Sequence, residues 1–221
     1  MATRNGFFAL LSRMANIQRW SKSNPTRAEN VAEHSLQVAM FAHALGTIRN
    51  QLFPERGLVD ANLLSTLALY HDAAEVLTED VNSLIKYSHD RMLKLCREME
   101  SIACDMLSDT LPEELLSVYQ PLIHQDADRE HIELVKAADL LSAYAKSLAE
   151  LRANNTEFRG SCDKLEKVLS HYRERLPEVA WFMERLMPAF NLTIDDLVDV
   201  AFASELKEGQ TTILERRLST D

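Results

Sequence analysis

Apolar residues recur along this chain at the three- and four-residue spacing that is typical of amphipathic α-helices. The longest such segments cover about 30–53 and 128–153. In the second segment, alternating spacings of four and three join Leu134, Ala138, Leu141, Ala145 and Leu148. No segment shows the strict alternation of apolar and polar residues that predicts a half-buried β-strand. The pattern therefore predicts an all-α protein.

Prolines and capping residues divide this pattern into successive helices. Asn24-Pro25 ends the first one, which begins near Phe7, because the residue before a proline disfavours helix. Asp60 is expected to cap a helix that continues through residue 77. Further helices are expected over about 90–109, from Leu111-Pro112 onward, over 128–153, and two or three times within 155–206. With no repeat and no linker, the sequence predicts one domain over 1–206 and a frayed polar tail over 207–221.

Charge and composition narrow the function classes. The chain has 221 residues with 34 acidic against 24 basic side chains, a net charge of −10, which makes binding to a nucleic-acid polymer unfavourable. Its few glycines form neither a GxGxxG motif nor a P-loop. There is no 18-residue apolar run and no secretory h-region, so neither a membrane span nor secretion is expected. The cysteines, which lack CxxC spacing, suggest free thiols in the cytoplasm.

Four ionisable residues stand inside apolar helical segments: His34, His71, Asp72 and Asp139. Taken singly, each has an ordinary structural explanation, such as a core histidine or a pairing of Asp139 with Lys136. Burying an ionised carboxylate without a partner is costly, however, and here two carboxylates accompany two imidazoles on three helices. This set of nitrogen and oxygen donors suits a divalent transition metal with positions open for water or substrate.

The order of these residues and their surroundings resemble the HD-domain metal-dependent phosphohydrolases, and among them the bacterial 5′-deoxynucleotidases. The resemblance runs from about Phe7 to Phe190 and is carried by Arg19-Trp20, ENVAEHSLQVAM, HDAAEVLTED and LVKAADLLSAY. It implies a single HD-type helical bundle, a homodimer, and a divalent cation such as Co²⁺ or Mn²⁺ bound by His34, His71, Asp72 and Asp139. It also implies a deoxynucleotide site formed by Arg19, Trp20, His34, Asp72, Asp80, Val81, Asn82, Ser83, Lys86 and Asp139.

Three residues are expected to act on the substrate beside the metal. The planar guanidinium of Arg19 suits a phosphate group. Glu75 follows Asp72 by three residues, so on a continuous helix it would lie near the metal and position or deprotonate a water molecule. Asp80 would orient the sugar 3′-hydroxyl or assist the leaving group. Trp20 is expected to line the sugar and leave a 2′-hydroxyl without a partner, which favours deoxyribose.

The chain departs from the family in one loop. Where the family usually reads TGDxPxPxK, residues 78–86 read TEDVNSLIK, so one glycine and both prolines are missing. A carboxylate at Glu79 that faced the pocket would repel the extra phosphates of a nucleoside triphosphate. The favoured interpretation is a metal-dependent 5′-deoxynucleotidase acting on deoxynucleoside monophosphates. A deoxynucleoside triphosphate triphosphohydrolase and a non-catalytic nucleotide-binding HD protein remain as alternatives.

Overall fold

Helices account for the architecture, as the periodicity predicts. The computed structural model describes residues 5–202, with the backbone alone for 199–202. The helices are α1 (Phe7–Leu11), α2 (Val31–Leu52), α3 (Ala61–Tyr70), α4 (Glu75–Thr78), α5 (Ser83–Lys86), α6 (Asp90–Ser108), α7 (Glu113–Ile123), α8 (Arg129–Arg152), α9 (Arg159–Arg175), α10 (Pro177–Arg185) and α11 (Ile194–Phe202). Within this range no β-strand occurs, and one isolated bridge pairs Gln18 with Asn30. The prediction of a single all-α helical domain is confirmed.

The main core lies where α2 packs between α3 and α8. Leucines from all three helices are completely buried there, among them Leu45, Leu64 and Leu141, and α9 and α10 close the other side. Side chains fix the starts of the inner helices. Asn30 accepts the Glu33 N–H at 2.9 Å, and Asp60 accepts the N–H groups of Asn62 and Leu63, as the sequence predicts for Asp60. The three helices that carry the candidate ligands are therefore held by one core.

A smaller core joins α1, α6 and α7 to the end of α3. Phe7, Leu107 and Ile123 are buried in it, and the rings of Tyr70 and Tyr119 pack against Phe7. Because Tyr70 immediately precedes His71, this second core supports the chain at the point where α3 ends.

The expected continuous helix through residue 77 is wrong. Helix α3 ends at Tyr70, and α4 begins at Glu75 after a tight turn. In this turn the N–H of Ala73 bonds to Tyr70 O, and that of Glu75 bonds to Asp72 O, so the hydrogen bonds span three residues instead of four. Neighbouring side chains on a regular α-helix point about 100° apart, whereas His71 and Asp72 approach a common point. The segment contains neither glycine nor proline, so its residue types do not predict a turn.

The predicted tail over 207–221 and the predicted domain boundary at 206 lie outside the described residues. In the described part of the chain, no helix combines the length and the apolar character needed to cross a bilayer.

The close approach of α2 to α3 depends on the missing side chain at Gly46. A Cβ there would lie 2.7 Å from Leu64 Cδ1 and 3.1 Å from the Cα of Ala61. We expect Gly46→Ala to lower the free energy of unfolding by about 1–3 kcal/mol, because Leu64 is buried and the backbone of α3 must shift. Denaturant unfolding measures this. Gly160→Ala is the control, since a Cβ on Gly160 meets nothing within 4 Å, and it should be neutral or slightly stabilising. Equal effects of the two changes would contradict this packing.

Candidate metal and substrate site

Three separate helices deliver the candidate ligands to one place. His34 lies on the first turn of α2, Asp139 lies in the middle of α8, and His71 and Asp72 lie in the turn after α3. His34 is fully buried, and the side chain of His71 is 10% exposed. The packing of α2 against α3 and α8 therefore sets the separation of the four side chains.

The donor atoms of this group converge. One atom from each of His34, His71 and Asp139 lies within 4.8 Å of the other two. His34 Nε2 is 3.0 Å from Asp139 Oδ1. Asp72 Oδ2 is 3.1 Å from His71 Nε2 and 3.7 Å from His34 Nε2. The structure thus brings the four sequence-predicted ligands together.

The far nitrogen of each imidazole is engaged by the protein. His71 Nδ1 lies 2.7 Å from the carbonyl oxygen of Ala68, which can only accept a hydrogen bond. His34 Nδ1 lies 3.2 Å from Ser142 Oγ, and the Ser142 hydroxyl donates its own proton to Gln37 Oε1 at 2.7 Å. Both Nδ1 atoms therefore carry the proton in the neutral imidazole, and both Nε2 atoms present a lone pair to the centre of the group.

These lone pairs make the group suitable for a cation. The Nε2 atoms of His34 and His71 are buried without a hydrogen-bond partner, although carboxylate oxygens lie about one hydrogen-bond length away. At such distances a nitrogen lone pair and a carboxylate oxygen repel each other unless a proton or a metal cation lies between them. Two imidazoles and two carboxylates match a borderline divalent metal, so the residues fit the expected cofactor.

The charges of the group respond to one another. Burial alone would lower the pKa of His71, but attraction to Asp72 raises it to about 9. Burial would raise the pKa of Asp72, but His71 lowers it well below its ordinary value. For Asp139, burial is likewise outweighed by His34 and His71, and its pKa is lowered. Both carboxylates are therefore ionised at neutral pH, as metal ligands must be, whereas His71 must release a proton to bind a metal.

Arg19 and Trp20 lie beside this group on the segment that leads into α2. The bridge between Gln18 and Asn30 closes that segment into a loop, with Arg19 N–H donating to Glu29 O at 2.9 Å. Arg19 Nη1 is 3.4 Å from Asp72 Oδ2, and its Nε is 3.6 Å from Glu29 Oε2. The guanidinium is thus fixed next to a candidate ligand.

The far side of the same loop is anchored to the end of α8. The buried carboxylate of Glu150 accepts hydrogen bonds from the N–H and the hydroxyl of Thr26, both at 2.8 Å. It also accepts from Asn155 Nδ2 at 3.0 Å and pairs with Lys146. Burial alone would raise the pKa of Glu150, but these bonds lower it to about 2. Helix α8 therefore supports both Asp139 and the loop that carries Arg19.

Glu75 and Asp80 extend the acidic side of the site. Glu75 Oε2 is buried without a hydrogen-bond partner. Burial and the nearby charges of Asp72 and Asp80 raise the pKa of Glu75 to about 9. Burial also raises the pKa of Asp80, against the attraction of Arg19. Although the helix is interrupted at residue 71, Glu75 thus stays within electrostatic reach of Asp72, as its spacing led us to expect.

The rest of the altered loop makes its hydrogen bonds to residues other than the candidate ligands. Asn82 caps α5 by accepting the Leu84 N–H at 2.9 Å, and Ser83 begins that helix with an exposed side chain. Lys86 donates to Glu100 Oε1 at 2.6 Å and so is held by α6. Val81 is partly buried between Asp80 and α5. In the described part of the chain, no hydrogen bond or ion pair joins the side chain of Val81, Asn82, Ser83 or Lys86 to the four candidate ligands.

Glu79 occupies a backbone conformation that favours glycine. Its φ is 60° and its ψ is 170°, a region that is almost closed to residues with a Cβ. The family's usual glycine at this position has a physical reason in that geometry. The Glu79 side chain is exposed and pairs with no described residue, so the geometry gives no support to a carboxylate that faces the pocket.

Four residues of the site were missed by sequence reasoning. Gln37 and Ser142 each follow a candidate ligand, His34 or Asp139, by three residues, so helical spacing could have placed them on the same face. Glu29 and Glu150 gave no such signal, because their contacts depend on how the loop before α2 folds back.

Comparison with known proteins places this geometry in a family context. Residues 6–190 match a family model described as 5′-deoxynucleotidase YfbR-like. The chain is 45% identical to 5′-deoxynucleotidase YfbR from Escherichia coli over 192 residues, which cover 86% of this chain and 94% of that protein. It is 44% identical to a 5′-deoxynucleotidase from an Enterobacter species over 197 residues, which cover 88% and 96%.

Solved structures show the same fold. An HD-domain phosphohydrolase from Listeria innocua superposes with a TM-score of 0.71 at 21% identity, covering 90% of this chain and 98% of that one. The HD phosphohydrolase DatZ of cyanophage S-2L, solved with dA and one catalytic Zn²⁺ ion, has a TM-score of 0.55 at 19% identity and covers 81% and 95%. At these identities the structures support the HD fold of this chain.

The convergence of the ligands leads to a prediction on metal binding. We expect His71→Ala and Asp139→Asn to lose stoichiometric binding of Mn²⁺ or Co²⁺, because the first removes a nitrogen donor and the second removes the negative charge of a carboxylate ligand. Isothermal titration and elemental analysis measure the bound metal, and circular dichroism checks helical content. His43→Ala is the control, since His43 lies on α2 but faces solvent. Full metal occupancy in Asp139→Asn would contradict the ligand assignment.

The strained backbone at Glu79 leads to a second prediction. We expect Glu79→Gly to raise the free energy of unfolding by about 1 kcal/mol, because glycine adopts a positive φ without a steric cost. Glu79→Ala removes the same carboxylate but keeps a Cβ, so it should bring no such gain. Thermal and denaturant unfolding of the wild type, Glu79→Gly and Glu79→Ala measure these differences in the free energy of unfolding. An equal gain from alanine would mean that charge, not backbone strain, is relieved.

Proposed function

The chain belongs to the YfbR-like 5′-deoxynucleotidase family, and we propose that it hydrolyses deoxyribonucleoside 5′-monophosphates to deoxynucleosides and phosphate with a bound divalent cation. The observation that carries the proposal is the group of inward-facing lone pairs and carboxylates beside the guanidinium of Arg19. A cation and an arginine side by side are what a dianionic phosphate monoester requires.

His34, His71, Asp72 and Asp139 would hold the cation. When bound, a divalent cation polarises a phosphoryl oxygen and makes a coordinated water more acidic. Its positive charge would also lower the raised pKa of Glu75, so that the Glu75 carboxylate could accept a proton. The DatZ structure, solved with one catalytic Zn²⁺ ion, supports a metal in this fold.

Arg19 binds the phosphate group in this proposal. Its pKa is raised by the surrounding carboxylates despite burial, so it stays charged. Its Nη1 contacts Asp72 and its Nε faces Glu29, which keeps the guanidinium plane turned toward the candidate ligands. A guanidinium held in this way can follow the charge that develops on the equatorial phosphoryl oxygens during hydrolysis.

Glu75 and Asp80 supply the proton transfers. Glu75 Oε2, which is buried and has no other partner, would take the proton of the attacking water. Asp80 follows the end of α4 by two residues in the chain. It would orient the 3′-hydroxyl or pass a proton to the leaving oxygen. Burial raises its pKa above the ordinary value of an aspartate.

Trp20 would line the sugar. Its ring packs against Phe158 with the ring centres 5.1 Å apart. A 2′-hydroxyl buried against an apolar ring loses its hydrogen bonds to water, at a cost of about 1–3 kcal/mol, or roughly tenfold to a hundredfold in favour of deoxyribose.

A product-resolved assay tests this function. With Mn²⁺ or Co²⁺ we expect the wild type to release phosphate from dAMP faster than from AMP and to leave dATP largely intact. Arg19→Ala should lower kcat/KM by two orders of magnitude or more for each substrate, because a charge-assisted contact to the phosphoryl group is lost. Arg13→Ala is the control, since Arg13 lies in the same segment but is exposed. Release of intact triphosphate from dATP, with dAMP untouched, would instead identify a triphosphohydrolase.

We propose further that the protein is a homodimer paired through α6. Leu95, Met99, Ile102 and Met106 form an exposed stripe on this helix, 38% to 56% exposed, with a spacing of four, three and four. A contiguous exposed apolar stripe of this kind marks a candidate interaction surface.

The charges beside the stripe favour a second copy as the occupant. The N-terminal part of α6 carries Arg91 and Lys94 beside Asp90, and Asp105 and Asp109 lie at its C-terminal end, all five exposed. When two copies of α6 pair antiparallel about a two-fold axis between Met99 and Ile102, each basic end meets the acidic end of the partner helix. The helix is therefore complementary to itself.

Sedimentation of charge variants tests this pairing. We expect a dimeric wild type, a monomeric Ile102→Glu, and an unchanged dimer for Val168→Glu, a matched exposed position on α9. Arg91→Glu should weaken the dimer through repulsion by Asp109 of the partner subunit. The double variant Arg91→Glu/Asp109→Arg should restore it, which only the antiparallel arrangement explains. A monomeric wild type, or a dimer that survives Ile102→Glu, would contradict the pairing.

A cytoplasmic location completes the proposal. Cys96, Cys104 and Cys162 are all free, and Cys96 and Cys162 are buried. Three unpaired thiols suit a reducing compartment, where nucleotides are also found.

A further inference from the structure

Glu29 makes contact with both residues that are expected to recognise the substrate. Its Oε2 accepts a hydrogen bond from Trp20 Nε1 at 2.6 Å, and the same oxygen lies 3.6 Å from Arg19 Nε. The Glu29 side chain is only 12% exposed. The backbone places the Glu29 side chain there, because Arg19 N–H donates to Glu29 O and the bridge between Gln18 and Asn30 aligns the two ends of the loop.

Trp20 is held in an unusual backbone conformation. Its φ is 58°, a region that bulky side chains rarely adopt. Its carbonyl oxygen accepts the Ser23 N–H at 2.8 Å, and its ring contacts Phe158. Such a conformation persists only where the surroundings fix it, and the short bond to Glu29 is the one polar contact of the indole.

The bond to Glu29 changes what the indole can offer to a ligand. The Nε1–H group is the only hydrogen-bond donor of a tryptophan side chain. Since Glu29 engages it, the remaining ring presents only carbon. An indole that was free to turn could direct the same donor to a sugar hydroxyl and remove the penalty on ribose.

We propose that Glu29 is a positioning residue that sets the preference for deoxyribose, by keeping the Trp20 donor engaged and the ring apolar toward the sugar. The inference rests on the proposed nucleotidase function. Through its charge, Glu29 also orients Arg19, so its two contacts affect two different properties of the enzyme. The contact with Arg19 affects turnover of every nucleotide, whereas the contact with Trp20 affects the ratio between deoxyribo- and ribonucleotides.

Substitutions of Glu29 separate these two effects. Glu29→Gln keeps an oxygen that accepts from Trp20 but loses the charge next to Arg19. It should lower kcat/KM severalfold for dAMP and AMP alike and leave their ratio unchanged. Glu29→Ala loses both contacts, so the ratio of kcat/KM for dAMP over AMP should fall about tenfold as well. Glu33→Gln, an exposed carboxylate four residues further along, is the control and should change neither.

Two further measurements test whether the bond between Trp20 Nε1 and Glu29 causes the sugar preference. In a ¹H–¹⁵N spectrum the Trp20 indole resonance, assigned with Trp20→Phe, should lie downfield in the wild type and in Glu29→Gln and move upfield in Glu29→Ala. In the Trp20→Phe background, which has no indole donor, Glu29→Ala should no longer change the ratio. This second comparison separates the bond from a general loss of stability.

The outcomes distinguish the inference from the function on which it rests. If the wild type hydrolyses neither dAMP nor AMP, the proposed function fails, and the sugar preference is then obtained from the two dissociation constants in nucleotide titrations of the same variants. If the wild type prefers dAMP and folded Glu29→Ala keeps that ratio with its indole resonance shifted, the role of Glu29 is wrong. An equal loss of preference in both the wild-type and Trp20→Phe backgrounds would also overturn it.

Discussion

The structure depends on a repulsion that only a positive charge can relieve. Two imidazole nitrogens and two carboxylates point at one another from three helices, and both Nε2 atoms are buried without a hydrogen-bond partner. Backbone and side-chain oxygens hold the opposite ring nitrogens, so the imidazoles cannot turn away without losing those bonds. The fold therefore prepares a site for a positive charge, and the residues proposed to bind substrate lie beside it.

Helix α8 links this site to the residues proposed to recognise the substrate. It contributes Asp139 and Ser142 to the cation site, and eight residues after Ser142 it contributes Glu150, which anchors the loop that carries Arg19 and Trp20. One rigid helix thus fixes the distance between the group that would bind the metal and the groups that would bind phosphate and sugar. Mutations near the end of α8 should affect recognition although they lie far from the metal ligands.

Sequence patterns predicted the all-α fold, the cap at Asp60 and the family, because helical periodicity and short motifs are local properties. They did not predict the turn at His71, which contains neither glycine nor proline and is shaped by packing against a second core. They also missed Glu29 and Glu150. Those contacts join residues whose proximity exists only after the loop before α2 has closed. The only sign in the sequence of the positive φ of Glu79 was that the family usually has glycine at this position.

The other proposals depend on the binding of one divalent cation by His34, His71, Asp72 and Asp139. X-ray absorption spectroscopy of the Co²⁺-loaded protein tests it most directly. We expect a first shell of nitrogen and oxygen only, with the multiple-scattering signal of two imidazoles, and the loss of one imidazole in any residual metal bound by His71→Ala. Sulfur in the first shell, or a spectrum without imidazole scattering, would contradict it.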